Sequence, residues 1–139
     1  MKKLMFAVAT LACFGVASAA DKTPNMLGEW SNAEAYGTVM GYGSHHPKDE
    51  AKPDFRSRSY KISFVVDQQE GRQFAGRIVS DVHTEKFVGA LTPDGKSGVM
   101  ADEDGVYQFK LVGGNALEYC YSHTTKDLLI AACNKMTRK

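Results

Sequence analysis

Neither sign of charge is in excess in this chain. Its 139 residues carry 17 Lys and Arg against 16 Asp and Glu, so the basic surplus needed to bind nucleic acid or an anionic membrane surface is missing. Tryptophan occurs once, proline four times and cysteine three times. No glycine-rich phosphate cradle, Gly-x-Ser-x-Gly or His-Glu-x-x-His is present, which removes the motif-bearing hydrolases and phosphate-loop enzymes from consideration. Helical periodicity is also lacking: "SNAEAYG" allows one turn at most, and "DLLIAACNKM" reads better as a strand.

The one uninterrupted apolar run is short and N-terminal. "MKKLMFAVATLACFGVASAA" has two lysines, apolar residues from Leu4 to about Val16, then Ala17-Ser18-Ala19. That is the pattern of a cleaved export signal, too short for a stable transmembrane span. Residues 1–20 are therefore expected to be a signal peptide and 21–139 the folded domain, periplasmic or secreted. Cys13, after Thr-Leu-Ala, keeps lipid attachment open as an alternative. Loss of Lys2 and Lys3 leaves 15 basic residues against 16 acidic, a net charge of about −1.

Removing Cys13 leaves Cys120 and Cys133. An even pair in an exported chain reads as one disulfide, and a zinc site would need more ligands. A hairpin turning between Lys126 and Asp127 pairs residues whose numbers add to 253, as those of Cys120 and Cys133 do. The two would face each other on neighbouring strands.

Turn signals recur at short intervals: "QQEGR", "TPDGK", "DEDG" and "VGGN". Between them apolar and polar residues alternate. Tyr60, Ile62, Phe64 and Val66 share one face; Phe74, Gly76 and Ile78 another; then Phe87, Gly89 and Leu91; Tyr107, Phe109 and Leu111; Leu117, Tyr119 and Tyr121. Strands are expected at 27–31, 35–42, 57–67, 72–81, 86–91, 97–101, 106–112 and 117–122, with a ninth at 128–137. The fold class is all-β: a single antiparallel up-and-down β-barrel of about eight strands, closed so that no edge is left open. Gly76 and Gly89, in mid-strand, suit the coiling of a small barrel.

"LGEWSN" opens the domain. Its Gly28-x-Trp30 on a first strand resembles the calycin group of lipocalins and avidins, in which the tryptophan closes one end of the barrel. Gly28-x-Trp30-x-Asn32 is most similar to the avidin first strand. The resemblance implies that Asn32 points into the cup and hydrogen-bonds a ligand's polar head. Tyr36 stands where the avidin pattern has serine. The expected function is non-catalytic binding of a small, partly apolar ligand, with Trp30, Asn32, Tyr36, Tyr60, Phe74, Tyr107 and Tyr119 as candidate contacts and no cofactor or metal. The alternatives are a protein-binding module, such as a periplasmic protease inhibitor acting through Ala20–Met26, and a cofactor-free barrel enzyme.

Two further stretches raise chemistry. Asp81, His83 and Glu85 would share a face if they lay on one strand, giving an acid-base or weak metal row. "GYGSHHPKDEAKP" holds His45 and His46 between Pro47 and upstream glycines. Prolines 47 and 53 read as breakers, so 43–56 is expected to be a long lid loop over the barrel mouth.

Overall fold

Alternating sequence becomes alternating burial. The computed structural model describes residues 23–32, 35–43, 46–58, 61–81 and 83–139. Ten strands run in order: β1 (Gly28–Ser31), β2 (Ala35–Gly43), β3 (His46–Arg58), β4 (Ser63–Glu70), β5 (Gln73–Val79), β6 (Thr84–Leu91), β7 (Ser97–Ala101), β8 (Val106–Val112), β9 (Ala116–Thr124) and β10 (Leu128–Arg138). From β4 to β10 each strand pairs antiparallel with the next, and β1 pairs with both β4 and β10. Eight strands thus close into a barrel, and β2 and β3 lie outside it.

Closure depends on a fork in β10. Its first half, Leu128–Ala132, pairs with β2, while Thr137 and Arg138 pair with β1. One long strand therefore serves two partners along the same edge. Asn134 sits where the partner changes. Its Oδ1 accepts the Tyr36 backbone N–H at 2.7 Å, and its amide donates to the Tyr119 hydroxyl at 3.4 Å. The side chain supplies the acceptor for a backbone donor of β2 at the split.

Inward-facing residues fill the interior. Met26, Trp30, Phe64, Val66, Phe74, Ile78, Phe87, Leu91, Met100, Tyr107, Phe109, Leu117, Tyr119 and Met136 form one buried cluster. Phe64 is its hub, with ring centroids 5.3 Å from Tyr107, 5.2 Å from Tyr119 and 6.0 Å from Phe87. Tilted and edge-on contacts of this kind favour aromatic pairs beyond their area burial.

The disulfide joins Cys120 to Cys133, directly opposed on β9 and β10 with Cα atoms 4.0 Å apart. The register is the one expected from the turn at Lys126–Asp127. Such a bond persists in an oxidising compartment.

The segment 43–56 differs from expectation. It is not a lid loop: most of it is β3, paired with β2 from Ala35↔Arg58 to Gly43↔His46 with register shifts between Val39 and Gly43. Prolines are tolerated because β3 is the last strand in the sheet order among the described residues. Only Ser44 and His45 connect the two strands, and both lie outside the described residues. Gly41 lets β2 settle against the start of β10. Its φ is +103°, and a Cβ there would stand 2.0 Å from the Asp127 carbonyl oxygen.

Candidate functional site

One end of the barrel is plugged by the chain's own early residues. A bulge at Asp67 shifts the alternation of β4, turning Gln69 instead of Gln68 inward. Gln69 Oε1 then accepts the Met26 N–H at 2.7 Å, and its Nε2 donates to the Pro24 carbonyl at 2.8 Å. Met26 drops into the core, and its carbonyl accepts the Trp30 indole N–H at 2.9 Å. The Arg138 guanidinium lies 4.3 Å over the indole ring and donates to the Asn25 carbonyl. Trp30, 1 % exposed, thus closes this end between a buried methionine and a stacked cation.

The other end carries a cluster of tyrosines and carboxylates. Asp102, in the β7–β8 turn, accepts the N–H groups of Asp104 and Gly105 through Oδ1 and the Tyr107 hydroxyl through Oδ2 at 3.0 Å. "DEDG" is therefore a side-chain-braced hairpin turn. Tyr121 stacks on Tyr107 at 4.5 Å. Burial pushes the Tyr107 phenol far above its ordinary range, and the neighbouring Asp102 charge pushes it the same way. Tyr121 moves in the same direction from burial and from Asp102, Asp104 and Glu85.

This has a measurable consequence at alkaline pH. Tyr107 has a raised folded pKa, so its contribution to stability is complete below the unfolded phenol value near 10 and is lost as pH rises beyond it. Stability is expected to fall by about 1.4 kcal/mol per pH unit above that point on account of Tyr107. Urea unfolding between pH 9 and 12 would measure the slope. Tyr107→Phe should reduce the slope by that amount and leave the part that Tyr121 contributes, and an unchanged slope in that variant would assign the alkaline loss elsewhere.

The expected site residues fall into separate places. Trp30, Phe74, Tyr107 and Tyr119 meet inside the barrel as core. Asn32 is buried beside β1, and its Oδ1 accepts the Ile62 N–H at 2.7 Å, with its own N–H donating to the Ile62 carbonyl at 3.2 Å. Tyr36 is exposed on the outer wall. It lines a hollow of about 610 Å³ with the disulfide, Asn134 and Tyr119. His45 and Tyr60 lie outside the described residues, and of His46 only the backbone at the head of β3 is described. The Asp81–His83–Glu85 row does not form on one strand. Ser80 and His83 close a tight turn, N–H to carbonyl at 2.9 Å, so that Glu85 alone of the three is on β6.

Three features escaped the sequence reading: the β2–β3 hairpin outside the barrel, Met26 as a plug, and Arg138 over Trp30. Phe55, on β3, is 81 % exposed, and Tyr36 and Tyr42 on β2 are also largely exposed. A phenylalanine flanked by Asp54 and Arg56 carried the only available signal, an apolar residue in an otherwise charged stretch. No helix among the described residues is long and apolar enough to cross a membrane. No protein-family model matches the chain, and no curated protein or solved structure matches it either.

Proposed function

We propose that this is an exported, periplasmic or secreted, protein-binding module whose contact element is the β2–β3 hairpin. The observation that carries the reading is that apolar anchors stand outside a filled barrel. The interior is occupied by its own aromatics, so a small apolar ligand could enter only by displacing them. Outside, Tyr42 and Phe55 project from a hairpin tied to the barrel by one strand ladder. Large exposed aromatics are the kind of side chain that dominates binding energy at protein interfaces. β3 is the last strand in the sheet order among the described residues, an edge to which a partner strand can pair.

The calycin resemblance fits this reading at the level of architecture: a closed antiparallel eight-stranded barrel with its tryptophan at a sealed end. The inhibitor variant needs amendment. Pro24, Asn25 and Met26 are hydrogen-bonded into the barrel end, so they act as a plug and not as a free arm.

The test uses the mature, oxidised protein immobilised against the exported-protein fraction of its native cell. Wild type should retain a partner, and Phe55→Ala should weaken that retention by about thirtyfold, the loss of one aromatic anchor. If wild type retains nothing, or the variant retains the same protein undiminished, the hairpin is not a binding element.

A further inference from the structure

Inward residues of β9 and β10 belong to the core, so the alternate ones face out, and the disulfide is among them. Leu117, Tyr119 and Met136 are buried, whereas Cys120 and Cys133 are both exposed. The bond therefore lies on the outer wall, in a row with Gln108 across β8, β9 and β10. A buried cross-link meets external thiols only when the chain unfolds around it. This one borders a hollow of about 610 Å³, which Tyr36, Gln108 and Lys135 help to line. Exposed disulfides are the ones that exchange most readily with external thiols.

Charge differs at the two ends of the bond. The charged residues lining the hollow are Lys110, Glu118 and Lys135, which stand opposite one another in the next row. Side chains two apart on a strand share a face, so Lys135 stands beside Cys133 and Glu118 beside Cys120. Lys110 engages Glu118, ammonium to carboxylate at 2.8 Å. The hydrogen bond and charge of Lys110, then the charge of Lys135, hold the Glu118 carboxyl below its ordinary range. On the other side of the bond the row is Ala131, Ser122 and Val106, without charge. Two ammoniums against one carboxylate favour the approach of an anionic attacker. A thiolate released from Cys133 gains Lys135 as neighbour, while one released from Cys120 meets the Glu118 carboxylate. A cation beside a sulfur stabilises its thiolate, and the sulfur whose thiolate is more stable leaves faster.

We propose that Cys120–Cys133 is a thiol-exchange site, opened in the folded protein by an external dithiol that attacks Cys120 and displaces Cys133. The thiolate of the dithiol forms a bond to Cys120 Sγ as the Cys120–Cys133 bond breaks. The electron pair leaves on Cys133 Sγ, beside Lys135, which then takes a proton from water. The second thiol of the reagent, once deprotonated, attacks its own bonded sulfur and releases Cys120 as a thiolate, protonated in turn. The dithiol ends as a disulfide and the protein as two thiols, a two-electron transfer. β9 and β10 stay paired on either side, from Leu129↔Thr124 to Thr137↔Ala116, so the barrel outlasts the bond.

Dithiothreitol tests this on the oxidised wild type in the absence of denaturant. Thiols that appear are alkylated and counted by mass, and circular dichroism follows the fold. Reduction should proceed at a rate proportional to dithiothreitol concentration, with the spectrum unchanged. A rate that levels off as dithiothreitol rises, or a reduction that needs urea, means that the bond opens only through unfolding and overturns the proposal. Brief treatment with reduced glutathione, quenched by alkylation and mapped on peptides, should leave the adduct chiefly on Cys120. An adduct chiefly on Cys133 overturns the assignment of attacked and leaving sulfur. Lys135→Glu should slow the dithiothreitol reaction by about tenfold. Lys126→Glu, the same change of charge at an exposed position in the β9–β10 turn, should leave it unchanged. A folded Lys135→Glu variant that reacts as wild type does, or an equal slowing by Lys126→Glu, overturns the local role of Lys135. These results leave the hairpin reading untouched, since that is read out by partner retention.

Discussion

Replacing Phe64 by alanine is expected to lower the unfolding free energy by about 3–5 kcal/mol. The ring is 1 % exposed and is the common neighbour of Phe87, Tyr107 and Tyr119. Its backbone is held on both sides, opposite Trp30 and Ile78, so the barrel wall cannot collapse into the space left behind. The transfer loss and the cavity term therefore add. Domains of this size have a total stability of about 5–15 kcal/mol, so the variant loses a large part of it. Urea denaturation gives the number, and a cost below about 1 kcal/mol would mean that the ring lines a space instead of filling one.

The same variant bears on what the barrel holds. A new cavity lined by aromatics and methionine stays dry and takes a small apolar guest such as benzene. Benzene should raise the melting temperature of Phe64→Ala and leave wild type unmoved. Wild type stabilised to a similar degree would restore the cup as a ligand site.

Gly76→Ala is expected to cost about 3 kcal/mol or more, although it adds a single methyl. A Cβ at Gly76 would stand 2.0 Å from the Val65 carbonyl oxygen and 2.9 Å from Val66 Cα. Both are backbone atoms, so relief requires moving β4 and not a rotamer. The site lies opposite Val66, beside the bulge at Asp67. Pushing β4 and β5 apart there also turns Gln69 away from the Met26 and Pro24 groups it holds. Gly114→Ala is the comparison, since nothing lies within 4 Å of a Cβ at that position; it should change stability by less than about 0.5 kcal/mol. Melting curves of the two variants that overlap would show that the close approach is not a constraint.

Much of the barrel was legible in the chain because a half-buried strand writes its own period. Phe64, Phe74, Tyr107 and Tyr119 could be assigned to one inward face from alternation alone, and the facing of Cys120 and Cys133 followed from the turn between them. The strand 46–58 was not legible. Pro47, Pro53 and a run of charges argue against a central strand, and they do so correctly. They are compatible with an edge, which depends on partners far away in sequence. The fork of β10 is hidden for the same reason: which partner Leu128–Ala132 and Thr137–Arg138 each take depends on what lies beside them, far away in sequence. The site was legible as a set of inward aromatics. Whether eight inward faces fill a barrel or line one depends on how rings from different strands interlock, which no single strand records.

The fork also fixes how a pull on the hairpin would be borne. Among the described residues, the β2–β3 ribbon is fastened to the barrel by five residue pairs along Leu128–Ala132, by the Tyr36 N–H on Asn134 Oδ1 and by the Tyr42 N–H on the Asp127 carbonyl. A load on Phe55 or Tyr42 runs through that ladder into β10. Cys133 is the next residue of β10, and its bond to Cys120 passes the load to β9 before it reaches the plugged end. The covalent cross-link thus stands at the root of the projecting arm, where leverage is greatest.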